Sequence, residues 1–408
     1  MKLLIEHQCP QCGAPAVLEE TDRLFRCEFC RVKSILTRDD YFRYLLPDRA
    51  PQGRKLIYVP YWRLRGTLFS TTAQGLLHRF VDVSHPAVDL RGLPVSLGLR
   101  SQALKLRFVT PDTAGRFLAP QLDRKTVAEQ FKEQYAVDLP RPLYHQAYVG
   151  DTLSMIYAPY YVNGRVYDAV LDEPLPTASV DGDALQAADG DRARWPLEFI
   201  PALCPKCGWD LDGQRDALAL FCGNCGSMWR TEGTKLRPLR FATLQSDQPD
   251  AVYLPFWRIR AEVGGVRLDS FADLVRLANL PRVIQPQWTE MGFRFWIPAF
   301  KLMPRAFSRL CTHTTLAQPH ADFRTRPPRG RVQAVTLPVE EAVDSLKTTL
   351  STFIKPARKL LPQLPAIQIR PRAFLLAYLP FAEGPHDLIQ PDLKLAINRN
   401  QLRQSAAL

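Results

Sequence analysis

Eight of the nine cysteines stand in four Cys-x-x-Cys pairs: Cys9 with Cys12, Cys27 with Cys30, Cys204 with Cys207, and Cys222 with Cys225. Thiolates at this spacing grip a metal ion from the tips of facing hairpins. A chain that spends nearly all its cysteines this way reads as metal-binding in a reducing compartment, not as a disulfide framework. In each half fourteen residues separate the second cysteine of one pair from the first of the next. Two such pairs supply the four sulfur ligands that tetrahedral zinc prefers and leave no position for a reactive water. The expectation is two structural Zn2+ ions per chain, one on Cys9, Cys12, Cys27 and Cys30, the other on Cys204, Cys207, Cys222 and Cys225. A glycine follows Cys12, Cys207 and Cys225, where the knuckle turn wants positive φ, whereas Arg31 follows Cys30. Cys311 stands alone and reads as a small buried apolar residue. His7 is expected at the surface, since the cysteine set is complete without it.

The elements that hold these cysteines come in two copies. Cys9 to Arg65 recurs without a gap as Cys204 to Arg260, displaced by 195 residues. Each copy ends in an aromatic strand, Tyr58-Val-Pro-Tyr-Trp-Arg-Leu-Arg65 and Tyr253-Leu-Pro-Phe-Trp-Arg-Ile-Arg260. Such self-similarity marks an internal duplication. Tyr157-Ala-Pro-Tyr and Tyr378-Leu-Pro-Phe add a second Tyr-x-Pro-aromatic strand to each half. Proline cannot donate to a ladder, so each copy is expected at an edge, a strand start or a bulge. The two strands of a half should be neighbours around an aromatic cluster, serving either as core or as a binding groove. Trp62 and Trp257 alternate with other apolar positions and are expected to be buried.

Val127, Phe131 and Tyr135 fall four apart, which predicts a helix over 126–135; its counterpart, Pro338 to Lys347, is displaced by 212 residues. The fold class is thus α+β and β-rich, a duplicated module of a zinc ribbon followed by an antiparallel α+β domain. The divisions are ribbon 1 at 1–38, α+β domain 1 at 39–171, an acidic linker or loop at 172–198, ribbon 2 at 199–233 and α+β domain 2 at 234–408. From Asp172 to Asp191 there are six acids and no base. Phe323 to Arg331 reads as a loop with no counterpart in the first half. Its Arg324, Arg326, Arg329 and Arg331 are candidates for polyanion contact.

With 46% hydrophobic residues the 408-residue chain has material for real cores, so zinc need not replace one. The longest apolar run, around Ala373 to Pro380, falls far short of the roughly 20 residues that span a bilayer. The N-terminus carries an acid and a histidine where a secretory signal needs an apolar core, so a cytoplasmic protein is expected. The net charge is +12. Its excess is C-terminal and suits either a solvated surface or contact with phosphates. No Walker A, His-Glu-x-x-His, Gly-x-Ser-x-Gly or Gly-x-Gly-x-x-Gly pattern occurs, and no histidine has a carboxylate or serine at useful spacing. The reading is non-enzymatic, with no small-molecule substrate evident.

In Cys-Pro-x-Cys-Gly and the following Cys-x-x-Cys, the thirty-residue segments resemble the TFIIB-type and ribosomal-type zinc ribbons. With Tyr-Val-Pro-Tyr-Trp or Tyr-Leu-Pro-Phe-Trp after the cysteines, the chain looks like a group of bacterial zinc-ribbon proteins, some associated with membrane-stress systems. The resemblance implies a ribbon fold, a structural metal and an adaptor role. Those relatives often carry membrane segments, and no stretch of this sequence reads as one, so a membrane surface is the less favoured partner here. Two functions follow: an adaptor or scaffold acting through protein–protein contacts, or a nucleic-acid-binding protein using its ribbons and basic C-terminal half.

Overall fold

The computed structural model describes residues 3–38, 40–98, 100–176, 182–188, 190, 197–248, 250–320 and 322–405. In the first half β1 (Leu4–Gln8) and β2 (Pro15–Glu19) flank the first cysteine pair, and β3 (Leu24–Arg26) and β4 (Lys33–Thr37) flank the second. The domain that follows holds β5 (Phe42–Leu45), β6 (Ile57–Thr72), β7 (Gly75–Pro86), β8 (Lys105–Phe108) and β9 (Arg116–Phe117). A helix, Arg124–Ala136, then leads to β10 (Leu143–Val162), β11 (Val166–Asp168) and β12 (Glu173–Pro174). The antiparallel pair β6–β10 is its axis, with Tyr157 opposite Pro60 and Pro159 opposite Tyr58.

The second half repeats this plan. Its ribbon comprises β13 (Glu198–Pro201), β14 (Leu211–Asp212), β15 (Ala219–Cys222), β16 (Met228–Glu232) and β17 (Lys235–Pro238). Its domain comprises β18 (Phe241–Leu244), β19 (Val252–Gly264), β20 (Phe295–Pro298), β21 (Phe323–Arg324), β22 (Arg331–Val332), β23 (Gln368–Glu383) and β24 (Asp387–Gln390). In the axial pair β19–β23, Tyr378 faces Pro255 and Tyr253 faces Pro380, the register of the first half. The fold is therefore α+β, strand-rich and duplicated, and the two Tyr-x-Pro strands of each half are neighbours.

The prolines lie elsewhere than expected: in the middle of the central strands. Each stands where the neighbour on one side changes. On β6 the parallel partner β9 ends at Tyr58 and the antiparallel partner β7 begins at Tyr61, so Pro60 occupies the gap. Pro255 sits likewise between β22 and β20, Pro159 between β5 and β11, and Pro380 between β18 and β24. A missing N–H costs nothing where no ladder runs, while the carbonyls are used: Ala87 donates to Pro60 at 2.8 Å and Ala299 to Pro255 at 2.9 Å. The tyrosines and aromatics around these prolines are buried, so the cluster is core and not groove.

The two tryptophans occupy like environments. Trp62 donates Nε1–H to the Leu122 carbonyl at 2.7 Å, and Trp257 to the Leu337 carbonyl at 2.8 Å. This match sets the helix displacement at 215 rather than 212, and the N-caps Asp123 and Pro338 agree with it. Helical periodicity alone allows a slip of about one turn.

The arginine-rich loop also has a counterpart. Leu45 faces Arg107 as Thr243 faces Arg324, and Tyr58 faces Phe117 as Tyr253 faces Val332. The segment from Arg324 to Arg331 thus corresponds to that from Arg107 to Arg116 and is two residues shorter. Gly115 and Gly330 mark the shared turn at φ 131° and 144°. A Cβ on Gly115 would lie 2.5 Å from the Tyr58 ring, and one on Gly330 would lie 2.4 Å from the Ala251 carbonyl oxygen.

Within 172–198, β12 pairs with β11, and the helix Gly182–Ala187 buries Leu185 in the first half's core. Arg116 donates to the carbonyls of Gln186 and Ala188. Most of the remaining acidic stretch lies outside the described residues. The halves share an interior: Phe69 and Val149 join the second core, and the Phe69 and Phe307 rings lie 6.0 Å apart. Among the described residues no helix is long and apolar enough to cross a membrane.

Candidate metal centres

Each Cys-x-x-Cys pair closes a tight turn between two short strands. The first cysteine's N–H bonds back across the hairpin, and its carbonyl accepts from the residue after the second cysteine. Gly13 donates to Cys9 at 2.9 Å, Arg31 to Cys27 at 3.0 Å, Gly208 to Cys204 at 2.8 Å and Gly226 to Cys222 at 3.0 Å. The four donors share the left-handed region, at φ 72°, 60°, 72° and 68° in that order. Arg31 therefore makes the same turn as the three glycines, at the steric cost a Cβ carries there.

The turns bring each quartet's four Sγ atoms within 4.8 Å of one another. In the first, Cys9 and Cys30 are 3.8 Å apart and Cys12 and Cys27 3.7 Å; in the second, Cys204 and Cys225 are 3.7 Å apart and Cys207 and Cys222 3.5 Å. Sulfurs about 2.3 Å from a tetrahedral ion stand about 3.8 Å apart, so the donor set fits such an ion. Protonation points the same way. The Cys30 N–H is the main cause that lowers Cys27 to about 6, while at Cys30 the Val32 N–H opposes but burial and the neighbouring thiols together raise the thiol to about 12. In the second quartet burial opposes ionisation of Cys204, but the Ser227 hydroxyl and backbone N–H groups outweigh it and bring the thiol to about 6; burial and its neighbours lift Cys222 to about 11. Each quartet thus combines thiols biased toward ionisation, Cys27 in the first and Cys204 and Cys225 in the second, with one, Cys30 or Cys222, that a bound cation would help to ionise.

The surroundings differ. Ser227 Oγ lies 3.4 Å from Cys204 Sγ and 3.0 Å from Cys225 Sγ, and accepts from Trp229 Nε1 at 2.8 Å. Val32 occupies the repeat-equivalent position in ribbon 1. The ribbons also dock on each other: β13 pairs antiparallel with β4, and Leu24 and Ile35 pack with Cys204, Leu211, Leu220 and Cys222. Arg215 of ribbon 2 reaches Asp22 of ribbon 1 at 2.5 Å.

His7 is not a surface residue. Its ring stacks on Phe199 at 4.6 Å and meets Phe108 edge-on at 5.6 Å, filling the seam where the ribbons join. Burial lowers its pKa. Cys311 is buried in the second core, as expected, and its thiol is pushed up by burial.

Arg324, Arg326, Arg329 and Arg331 are all exposed. Arg324 pairs with Asp322 at 3.0 Å and Arg331 with Glu383, whereas Arg326 and Arg329 form no ion pair among the described residues. Pro327 of the same loop rests on the second knuckle, where a Cβ on Gly226 would lie 3.5 Å away.

Sequence reasoning passed over the cleft beneath ribbon 1, about 1880 Å³, bounded by β1, β2 and β3 on one side and by Leu46, Tyr58 and Arg107 on the other. Its signal was faint: exposed Val17 and Phe29 on an otherwise compact ribbon. Compared with protein-family models, curated proteins and solved structures, the chain matches none.

Proposed function

We propose that this chain is a non-catalytic adaptor in which two Zn2+ ions hold two ribbons, and in which the cleft under ribbon 1 seats an acidic segment of a partner protein. The cleft carries this reading. Arg26, Arg31 and Arg107 line it and form no ion pair among the described residues, and Phe29, 68% exposed, stands beside it on the knuckle. On the equivalent knuckle of ribbon 2, Pro327 packs against Gly226, whereas the matching Arg31 of ribbon 1 lines the cleft. Four thiolates per site suit zinc as a fixed structural ion and a reducing compartment such as the cytoplasm. Resemblance to bacterial ribbon proteins agrees with an adaptor.

The test places a photo-crosslinking amino acid at Phe29 in cells, with and without Arg26→Glu plus Arg107→Glu. Protein adducts that resist nuclease and vanish on charge reversal are expected. Adducts that require nucleic acid would move the function to nucleic-acid binding, and no charge dependence would remove the cleft from it. Elemental analysis of chelator-free protein should return two zinc ions per chain.

A further inference from the structure

The halves differ in the charge they set beside the Trp-Arg-x-Arg strand. In the first, Arg63 and Arg65 are buried and neutralised by the protein itself. Arg63 donates to Glu20 and reaches Asp82 at 2.9 Å; Arg65 stands 4.0 Å from Glu20; Ser154 donates to Glu20 at 3.0 Å. Two buried cations meet two carboxylates, as burial demands.

In the second half both acids are replaced by arginine. The ungapped repeat puts Arg215 where Glu20 stands. The strand beside the tryptophan does the same for Asp82: Trp62 faces His85 and Arg65 faces Asp82, while Trp257 faces Ile297, so the residue matching Asp82 is Arg294, one step beyond Phe295, the end of β20. Leu375 takes the place of Ser154. Arg215 itself turns away to Asp22.

Arg258, Arg260 and Arg294 are left together. Arg258 and Arg260 stand two apart on β19, and the β19–β20 register brings Arg294 beside Arg260; burial first and then Arg258 and Arg260 lower the pKa of Arg294. Arg258 lies 5.7 Å from the Trp296 ring centroid, and its buried Nε has no hydrogen-bond partner. Among the described residues none of the three forms an ion pair. The neighbouring acid, Glu262, pairs with Arg372 at 2.5 Å, and Arg260 acts on it only at longer range. Arg258 and Arg294 are half-buried and Arg260 is exposed, so solvent can deliver a ligand to them.

We propose that Arg258, Arg260 and Arg294 form a binding site for a phosphate dianion, which takes the place that Glu20 and Asp82 fill in the first half. Three cations call for more charge than one carboxylate supplies. A phosphoryl group carries about −1.5 to −2 and offers three acceptor oxygens. Guanidinium forks match those oxygens in pairs, which lysine would not do. The phosphate is either the free ion or the ester on a phosphorylated side chain.

The test is calorimetric titration of the zinc-loaded full chain with inorganic phosphate, with a short phosphoserine peptide and with the same peptide unphosphorylated. Saturable binding of both phosphate ligands and none of the bare peptide is expected. Tighter binding of the phosphopeptide assigns the side-chain source, and equal binding the free one. Arg294→Asp restores the first half's acid and should keep the fold while weakening phosphate binding at least about tenfold. Arg91→Asp, an exposed arginine elsewhere, makes the same charge change and should leave binding unaltered. Should Arg294→Asp unfold, Arg258→Gln decides by the same loss. No saturable binding at millimolar phosphate, or equal weakening by Arg91→Asp, overturns the proposal.

Discussion

The two ribbons carry the same four-cysteine geometry on the same turns and are anchored in opposite ways. Ribbon 1 is built into its domain: β1 runs parallel to β8 and so extends the first large sheet. Among the described residues ribbon 2 has no such strand, because β13, the counterpart of β1, pairs with β4 of ribbon 1 instead. It rests on the second domain through side chains, with Phe221 against Phe241 and Met228 under the Tyr378 hydroxyl, and through isolated backbone bonds such as Leu218 N–H to the Val335 carbonyl at 2.8 Å. Metal ligation depends on residues a few positions apart and survives duplication intact. Docking depends on strands far apart in sequence, and there the copies have diverged.

The largest expected effect tests that asymmetry. Zinc bound to a structural finger contributes roughly 10 to 16 kcal/mol. Cys222→Ser should therefore empty and unfold ribbon 2, leaving one metal on ribbon 1, which β8 still holds. Cys27→Ser should cost both ions, because ribbon 1 supplies the β4 edge and the Leu24 and Ile35 side chains that ribbon 2 rests on. Metal analysis giving one ion for both variants would break the comparison.

Next in size is the buried charge of the first half. Glu20→Ala takes from the buried Arg63 and Arg65 one of the two carboxylates that face them, leaving Asp82 on Arg63, and should lower unfolding stability by about 3 to 5 kcal/mol. Arg294→Ala, which removes a residue with no carboxylate partner among the described residues, should change it by less than about 1 kcal/mol. Urea unfolding of the two variants checks the contrast.

His145, on β10, sharpens the account of where the halves meet. Burial, with Lys347 of the second half and Lys132 adding to it, lowers its pKa to about 4. The folded state thus resists protonation that the unfolded chain accepts near 6.5. Stability should hold above that pH and fall as pH drops from about 6.5 to about 4, by about 3 kcal/mol in all. His145→Gln should flatten the profile in that window; an unchanged urea midpoint profile in the variant would assign the acid sensitivity elsewhere.

The smallest effect concerns Arg31. Changing it to glycine relieves a left-handed residue and should stabilise ribbon 1 by about 1 kcal/mol, read from the chelator concentration that strips the first zinc. A loss of stability would show that the arginine's charge near the thiolates outweighs its strain.

The metal sites and axial strand pairs were legible because their signals are local: cysteine spacing, and a Tyr-x-Pro-aromatic motif in four copies. The reason for the prolines was not, since it lies in neighbours that change partway along a strand. The Arg107 and Arg324 loops looked unrelated because β8 and β21 are short and share little beyond Gly-Arg at their far ends. The seam between ribbons left no trace beyond His7 and Phe199, two aromatic rings 192 positions apart in the chain. The arginines of the second half could be aligned with Glu20 from the repeat, but Asp82 lies beyond the ungapped stretch and only strand register identifies its counterpart.

The pairing of β4 with β13 also sets a schedule for synthesis. Thr37 leaves the ribosome long before Glu198, its ladder partner, exists. At roughly 5 to 20 residues per second the interval is on the order of ten to thirty seconds. Through that time ribbon 1 can fill its metal site, yet the β4 edge stays unpaired, a strand template open to any other nascent chain. Newly made protein should therefore depend on chaperones most while the first half is complete and the second ribbon is still being translated.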